Sequence, residues 1–229
     1  LTALEGIEGP SARHHALKDV KTFFNWCVPR YLTASPCVGI KSEPQPTRSR
    51  VLMDEEIKIL WHAVDGTFGT IFKLLLLTGQ RRSEIGRLRA EYIRGDDITL
   101  PAALVKNKRE HSFALGPVAK ALLPKVAEGY LFTGVRSGGP YDQYKGHLKA
   151  VQKVTGITDF TLHDLRRTFS TKMAELGVPI HVTEKILNHV SGTHSGVQAI
   201  YNRYSYAKEM REAILLYEAH IAKVVELGR

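Results

Sequence analysis

From Phe160 to Leu176 the apolar residues return every three or four positions, with Leu162, Leu165, Phe169, Met173 and Leu176 forming one stripe. That spacing predicts an amphipathic helix, and Gly177 ends it. His163 and Arg166 lie three residues apart on it and project from one side, beside the stripe. The same period predicts a helix over 13–32, carried by Leu17, Val20, Phe23, Phe24 and Val28, disrupted at Pro29 and ended by Ser35-Pro36. Another starts at Asp54 as N-cap, with Glu55 and Glu56 in its positive first turn and Ile57, Leu60, Trp61 and Val64 inside. Further helices are expected over 70–77, closed by a left-handed Gly79, over a short span to Leu88, from Gly116-Pro117 to about Val126, and over 143–154. Pro179 opens one that ends at Asn188-His189, and Met210, Ile214, Tyr217, Ile221 and Val224 mark the last.

Between 98 and 115 the period changes. Residues 98–100, 103–105 and 112–115 read as short strands, the latter two joined through Lys106-Asn107-Lys108-Arg109-Glu110 as a basic hairpin tip. The fold class is therefore mostly α with a small antiparallel β-sheet. Pro44 and Pro46 lie in a polar stretch that reads as a linker or a solvated strap, dividing residues 1–46 from 47–229. The first helix is too apolar to stand alone, and the chain opens on Leu1 rather than Met, so a longer parent protein is expected.

Composition narrows the class. Hydrophobic content of 43% and charged content of 24% are those of a globular protein, and no apolar run approaches a membrane span. The net charge of +9 points to a polyanionic partner. Cys27 and Cys37 fit no metal-ligand spacing and suggest a reducing compartment. No glycine-rich phosphate loop ending in Gly-Lys-Ser/Thr is present, nor a carboxylate cluster for two metals.

The chemistry-bearing stretches are Leu77-Thr78-Gly79-Gln80-Arg81-Arg82-Ser83-Glu84-Ile85, His163-Asp164-Leu165-Arg166, Ile186-Leu187-Asn188-His189 and Ala199-Ile200-Tyr201-Asn202-Arg203-Tyr204. Taken alone, His163 reads more readily as a packed or capping residue, Arg166 as a surface charge and His189 as a structural helix-end cation. In this order and spacing the four stretches together resemble the tyrosine recombinase (phage integrase) family, from about Val51 to the last helix. The resemblance implies that family's catalytic-domain fold. It also implies a reaction in which a tyrosine hydroxyl attacks a DNA phosphodiester, leaving a 3′-phosphotyrosyl enzyme and a free 5′-hydroxyl that later reverses the step. Charge grows on the non-bridging oxygens during attack, and two cations from different segments, Arg81 and Arg166, suit that clamp.

By resemblance, Tyr201 is the nucleophile, with Tyr204 and Tyr206 as neighbouring rivals, although the interval from His189 is lengthened by residues 191–196. His163 assists proton removal, Lys106 (or Lys108) protonates the leaving 5′ oxygen, and His189 hydrogen-bonds the phosphate. Glu84 supports Arg81, and Arg82, Lys108, Arg109 and Arg167 are expected on the DNA backbone. No metal or other cofactor is expected. The implied partners are double-stranded DNA and further copies of the chain, as a tetramer on DNA, in the bacterial cytosol at the nucleoid and off the membrane. Residues 1–46 would be the tail of the family's helical core-binding domain, and the last helix would dock either onto a neighbouring protomer, the placement slightly favoured, or back onto its own chain. The rival readings are a type IB topoisomerase-like enzyme and a non-catalytic DNA-binding protein on the same scaffold.

Overall fold

A computed structural model of the chain describes residues 6–41, 48–135, 138–189 and 205–227. The chain forms two compact units, residues 1–49 and 50–229. In the first, α1 (Pro10–Cys27) buries little more than Leu17 and Cys27, while Phe23, Trp26 and Tyr31 stay exposed. This helix starts earlier and ends earlier than the period predicts. Val28 is extended because the ring of Pro29 disfavours helical backbone in the residue before it. Cys27 and Cys37 are free and buried.

The second unit is organised around α3 (Gly66–Thr78), which follows α2 (Asp54–Ala63). Phe68, Ile71, Phe72 and the run Leu74 to Leu77 are all buried, so the second half of α3 is apolar on every side and sits inside the unit, while Thr67, Thr70 and Lys73 keep some exposure. It starts four residues before the predicted span, because the glycines at 66 and 69 carry no hydrophobic signal. Glu56 accepts the Met53 N–H at 2.9 Å, which makes Met53 rather than Asp54 the N-cap of α2.

A short α4 (Arg82–Ile85) leads to the sheet. Among the described residues this has three antiparallel strands in sequence order: β1 (Ile93–Arg94), β2 (Asp97–Leu100) and β3 (His111–Ala114). Leu100 pairs with His111 and Ile98 with Phe113. The expected strand at 103–105 is not one. Pro101 has no N–H for a ladder, and Leu104 and Val105 bond back to Pro101 and Ala102 as turns. Residues 101–110 are thus a connection between β2 and β3, with Val105 plugged into the core and the basic residues outside. The helix after Gly116, α5 (Pro117–Ala121), stops well short of Val126 because Pro124 follows.

Then come α6 (Tyr144–Thr155), α7 (Leu162–Glu175), α8 (Ile180–Ile186) and α9 (Ala207–Val224). In α7 the predicted stripe is inside, with Leu165, Phe169 and Met173 fully buried and packed largely on α3. Each such side chain contributes about 1.5–3 kcal/mol relative to exposure. That outweighs helix propensity, which varies by less than about 1 kcal/mol among ordinary residues.

The last helix takes the in-cis placement, one of the two that the sequence leaves open. Here α9 folds onto its own chain, against α2, α3, β3, α7 and α8, and buries Ala213, Ile214, Tyr217 and Ile221. Its Glu218 carboxylate accepts the N–H groups of Val118 and Ala119 at 2.9 and 2.8 Å, satisfying the start of α5. Arg211 Nη2 donates to both carboxylate oxygens of Asp97, at 2.8 and 2.9 Å. Among the described residues, no helix is long and apolar enough to cross a membrane.

Candidate active site

Two helices end at one place, and their unpaired carbonyls build the site. The last four carbonyls of a helix have no partner within it. At the end of α8, the His189 N–H bonds the Glu184 carbonyl at 2.9 Å and the Asn188 N–H bonds that of Lys185 at 3.0 Å. This is a Schellman closure, with Asn188 left-handed at φ +49°. The Ile186 carbonyl accepts from Gln80 Nε2 at 2.9 Å and lies 3.1 Å from His111 Nε2. The Leu187 carbonyl accepts from Arg166 Nη2 at 2.5 Å. Every one of the four is satisfied, two of them by residues that reach across from other elements.

The end of α3 is handled by the same side chains. Arg166 Nη1 donates to the Gly79 carbonyl at 2.8 Å, Gln80 Nε2 to that of Thr78 at 3.1 Å, and the Tyr217 hydroxyl to that of Leu76 at 3.0 Å. Arg166 and Gln80 therefore each bridge the two helix ends. Both ends present carbonyls and the negative pole of the helix dipole, a setting that favours a cation. Gly79 is required twice over. Its φ of +65° is left-handed, and a Cβ there would sit 2.5 Å from the Phe169 ring and 2.7 Å from Leu187.

Arg166 is only 4% exposed, and its pKa falls from the ordinary arginine range to about 10, first through burial and then through the Arg81 guanidinium, against which Glu84 acts. Arg81 opens α4, and Glu84, itself 1% exposed, holds it at two points. One carboxylate oxygen accepts the Arg81 backbone N–H at 2.8 Å and the other accepts Nη1 at 2.9 Å. The reading of Glu84 as the group that supports Arg81 fits this geometry.

Arg81, Arg166 and His163 share the wall of a cavity of about 580 Å³, together with Gln80, Arg82, Tyr144, Lys145 and Thr161. The pKa of His163 is pushed below its ordinary value by partial burial, then by Arg167 and Arg166. His189 is shifted the same way by partial burial, then by Arg166 and Arg81. Both imidazoles therefore favour the neutral form, able to accept a proton or to donate a neutral hydrogen bond.

Of the remaining sequence candidates, Lys106 and Lys108 lie exposed in the 101–110 connection, and Lys108 is left-handed at φ +54°. Asn107 between them donates from Nδ2 to Asn188 Oδ1 at 2.7 Å, which brings this connection to the end of α8. Arg82 stacks over the Tyr144 ring at 4.9 Å, and Arg109 is exposed. Arg167 pairs with Asp164, whose other oxygen accepts the Thr161 N–H at 2.8 Å and starts α7. Tyr201 and its rival Tyr204 lie outside the described residues. Tyr206 is described, with its ring against His181 and Lys185 of α8.

Sequence reading missed Gln80, His111 and Asn188 as builders of the site. The alternation of β3 carries a signal for His111, since Phe113 and His111 share the inward face while Ser112 faces out. Burial lowers the His111 pKa to about 4. The ring is therefore neutral, and its proton sits on Nε2, facing the Ile186 carbonyl. Two buried polar atoms here, Gln80 Oε1 and Asn188 Nδ2, find no hydrogen-bond partner among the described residues. No group of three or more His, Cys, Asp or Glu with metal-ligand geometry occurs among the described residues.

The family model described as the phage integrase family matches residues 50–208. Prophage integrase IntZ of Escherichia coli (strain K12) is 30% identical over 163 residues, covering 68% of this chain and 40% of the relative. A tyrosine recombinase XerC-like protein of Caldanaerobacter subterraneus subsp. tengcongensis is 25% identical over 224 residues, covering 74% of this chain and 57% of the relative. The chain thus spans about half the length of these relatives. A crystal structure of a lambda integrase dimer bound to a COC′ core site superposes with a TM-score of 0.64 at 16% identity, covering 82% of this chain and 75% of that one. The fold is that of the tyrosine recombinase catalytic domain, mostly helical with a small three-stranded sheet.

Proposed function

The chain belongs to the phage integrase family, and we propose that it carries the strand-cutting chemistry of a site-specific DNA recombinase. The observation that carries the reading is the pair of guanidiniums from separate segments, Arg81 and Arg166, in one cavity wall with His163. A phosphodiester placed there meets two donor forks whose orientations are already fixed, Arg166 by two carbonyls and Arg81 by Glu84. Preorganised donors stabilise charge as it develops without reorganising, and that is what the attack on phosphorus requires.

In the proposed sequence the Tyr201 phenol oxygen forms a bond to phosphorus while the bond from phosphorus to the 5′ oxygen breaks. His163, neutral at pH 7, assists removal of the phenol proton. Lys106 supplies a proton to the leaving 5′ oxygen, and His189 donates a hydrogen bond to a non-bridging oxygen. The bond energy is kept in the phosphotyrosine, so reversal by another strand's 5′-hydroxyl needs no nucleotide. Arg82, Lys108, Arg109 and Arg167 contact the flanking DNA backbone. Residues 1–46 serve as the tail of a core-binding domain. The working assembly is a tetramer of this chain on DNA, because exchanging four strands takes four nucleophiles. The compartment is the one that holds the DNA, the bacterial cytosol.

The test is a nicked duplex made from the DNA flanking the source gene, whose cut product cannot be religated. The full chain should form an adduct that survives denaturation, and Tyr201→Phe should abolish it. An adduct that persists in that variant moves the nucleophile to Tyr204 or Tyr206. Relaxed plasmid without recombinant product would instead mark a topoisomerase-like activity.

A further inference from the structure

The 2.7 Å hydrogen bond between Asn107 and Asn188 joins two parts of the chain that the reaction needs side by side. Asn107 lies between Lys106 and Lys108 at the tip of the 101–110 connection, and Asn188 directly precedes His189. The connection is anchored at its base by Val105, which is buried. Beyond Val105 the tip folds on itself: the Lys108 N–H bonds the Val105 carbonyl at 3.0 Å and the Arg109 N–H bonds Asn107 Oδ1 at 3.2 Å. Asn107 therefore uses one end of its amide to shape the tip and the other to tether it.

The helix end asks less of position 188 than it receives. The Schellman closure needs a residue that accepts a left-handed backbone, which glycine does most easily and asparagine tolerates. What glycine lacks is the side-chain carbonyl that Asn107 uses. The same turn fixes His189 through its N–H to Glu184 and borders Leu187, whose carbonyl holds Arg166. One amide thus ties the lysine-bearing tip to the structure that places the second imidazole and the buried guanidinium.

We propose that Asn107 and Asn188 are positioning residues whose mutual hydrogen bond holds the lysine-bearing tip within reach of the leaving 5′ oxygen. The proposal rests on the strand-cutting reading above. A tip released from the tether still carries its lysine, but a general acid acts only within hydrogen-bond reach of the atom it protonates. As the bond from phosphorus to the 5′ oxygen breaks, its electron pair stays on that oxygen, and the lysine ammonium loses a proton to it. A bridging sulfur at the same place leaves as a thiolate, stable near neutral pH, and needs no proton.

The experiment compares single-turnover cleavage by the full chain, Asn107→Ala, Asn188→Gly and the double variant. The substrate is the nicked duplex described above, with either oxygen or bridging sulfur at the position where the wild-type adduct has located the cut. Each single variant should slow the oxygen substrate by about tenfold to a hundredfold. The double variant should be no slower than Asn107→Ala alone, because that variant already lacks the tether that Asn188→Gly removes. On the sulfur substrate all variants should cut within about twofold of wild type. Asn188→Gly preserves the left-handed turn and leaves the Arg109 N–H bond to Asn107 in place, so a loss shared by both singles belongs to the tether. Singles that cut the oxygen substrate as fast as wild type, additive losses, or equal slowing on both substrates would overturn the clamp while leaving the strand-cutting reading intact. A wild type that forms no adduct on either substrate would remove that reading and the clamp together.

Discussion

Arg166 donates to the carbonyl of Gly79, eighty-seven residues earlier in the chain, at 2.8 Å. The same guanidinium donates to Leu187 at 2.5 Å, so one side chain seals the ends of two helices while lining the cavity. Stability and chemistry meet in this residue, which allows sharp tests.

Arg166→Lys keeps a cation but cannot donate to both carbonyls in the same plane. Adduct formation should fall about a hundredfold or more, the scale of losing one preorganised donor. Retention of the same duplex on a filter should fall less than about tenfold, since the other basic groups remain. Equal losses in the two assays would reduce Arg166 to an ordinary phosphate contact.

Gly79→Ala combines a left-handed backbone with a Cβ 2.5 Å from Phe169. It should destabilise the chain by about 3 kcal/mol or more, from backbone strain plus overpacking. Gly156→Ala is the control, because its φ is +73° but no atom lies within 4 Å of the added carbon. It should cost only the backbone term, about 1–2 kcal/mol. Urea midpoints of the two variants measure the difference, and equal midpoints would contradict the close approach.

His111 makes a pH prediction with a definite sign. Its pKa drops from 6.5 to about 4 on folding because burial disfavours the charged ring. The unfolded state therefore binds the proton first, and the stability is complete above pH 6.5 and lost as pH falls toward 4. Between pH 7 and 5 the wild type should lose about 2 kcal/mol more than His111→Gln, read from urea denaturation at each pH. Parallel losses would mean that the ring is already protonated when folded.

Glu84→Gln replaces an acceptor of two Arg81 bonds, at 2.8 and 2.9 Å, by a group that must turn an NH₂ toward one donor. Stability should fall by about 2–3 kcal/mol, the worth of a hydrogen bond to a charged group together with the donor left unpaired. Cleavage should fall further than that loss of folded protein explains, because the Arg81 fork is no longer aimed. Comparing adduct rates per folded molecule with the wild type checks it, and unchanged rates would leave Glu84 a purely structural residue.

The sequence by itself determined the helices and the order of the chemistry along them. The stripe of α7, the left-handed stop at Gly79 and the pairing of Arg81 with Glu84 are set by neighbours within a few turns, so residue spacing records them. The tertiary structure alone decided the rest. The strand expected at 103–105 became a turn because Pro101 ends the β2 ladder and the Leu104 and Val105 N–H groups bond back to Pro101 and Ala102. The last helix docked on its own chain because Glu218 and Tyr217 found partners one hundred and one hundred and forty-one residues away. His111, Gln80 and Asn188 joined the site through bonds to backbone carbonyls or to another amide. A carbonyl is the same in every residue, and only folding selects which ones stay unpaired and which side chain reaches them.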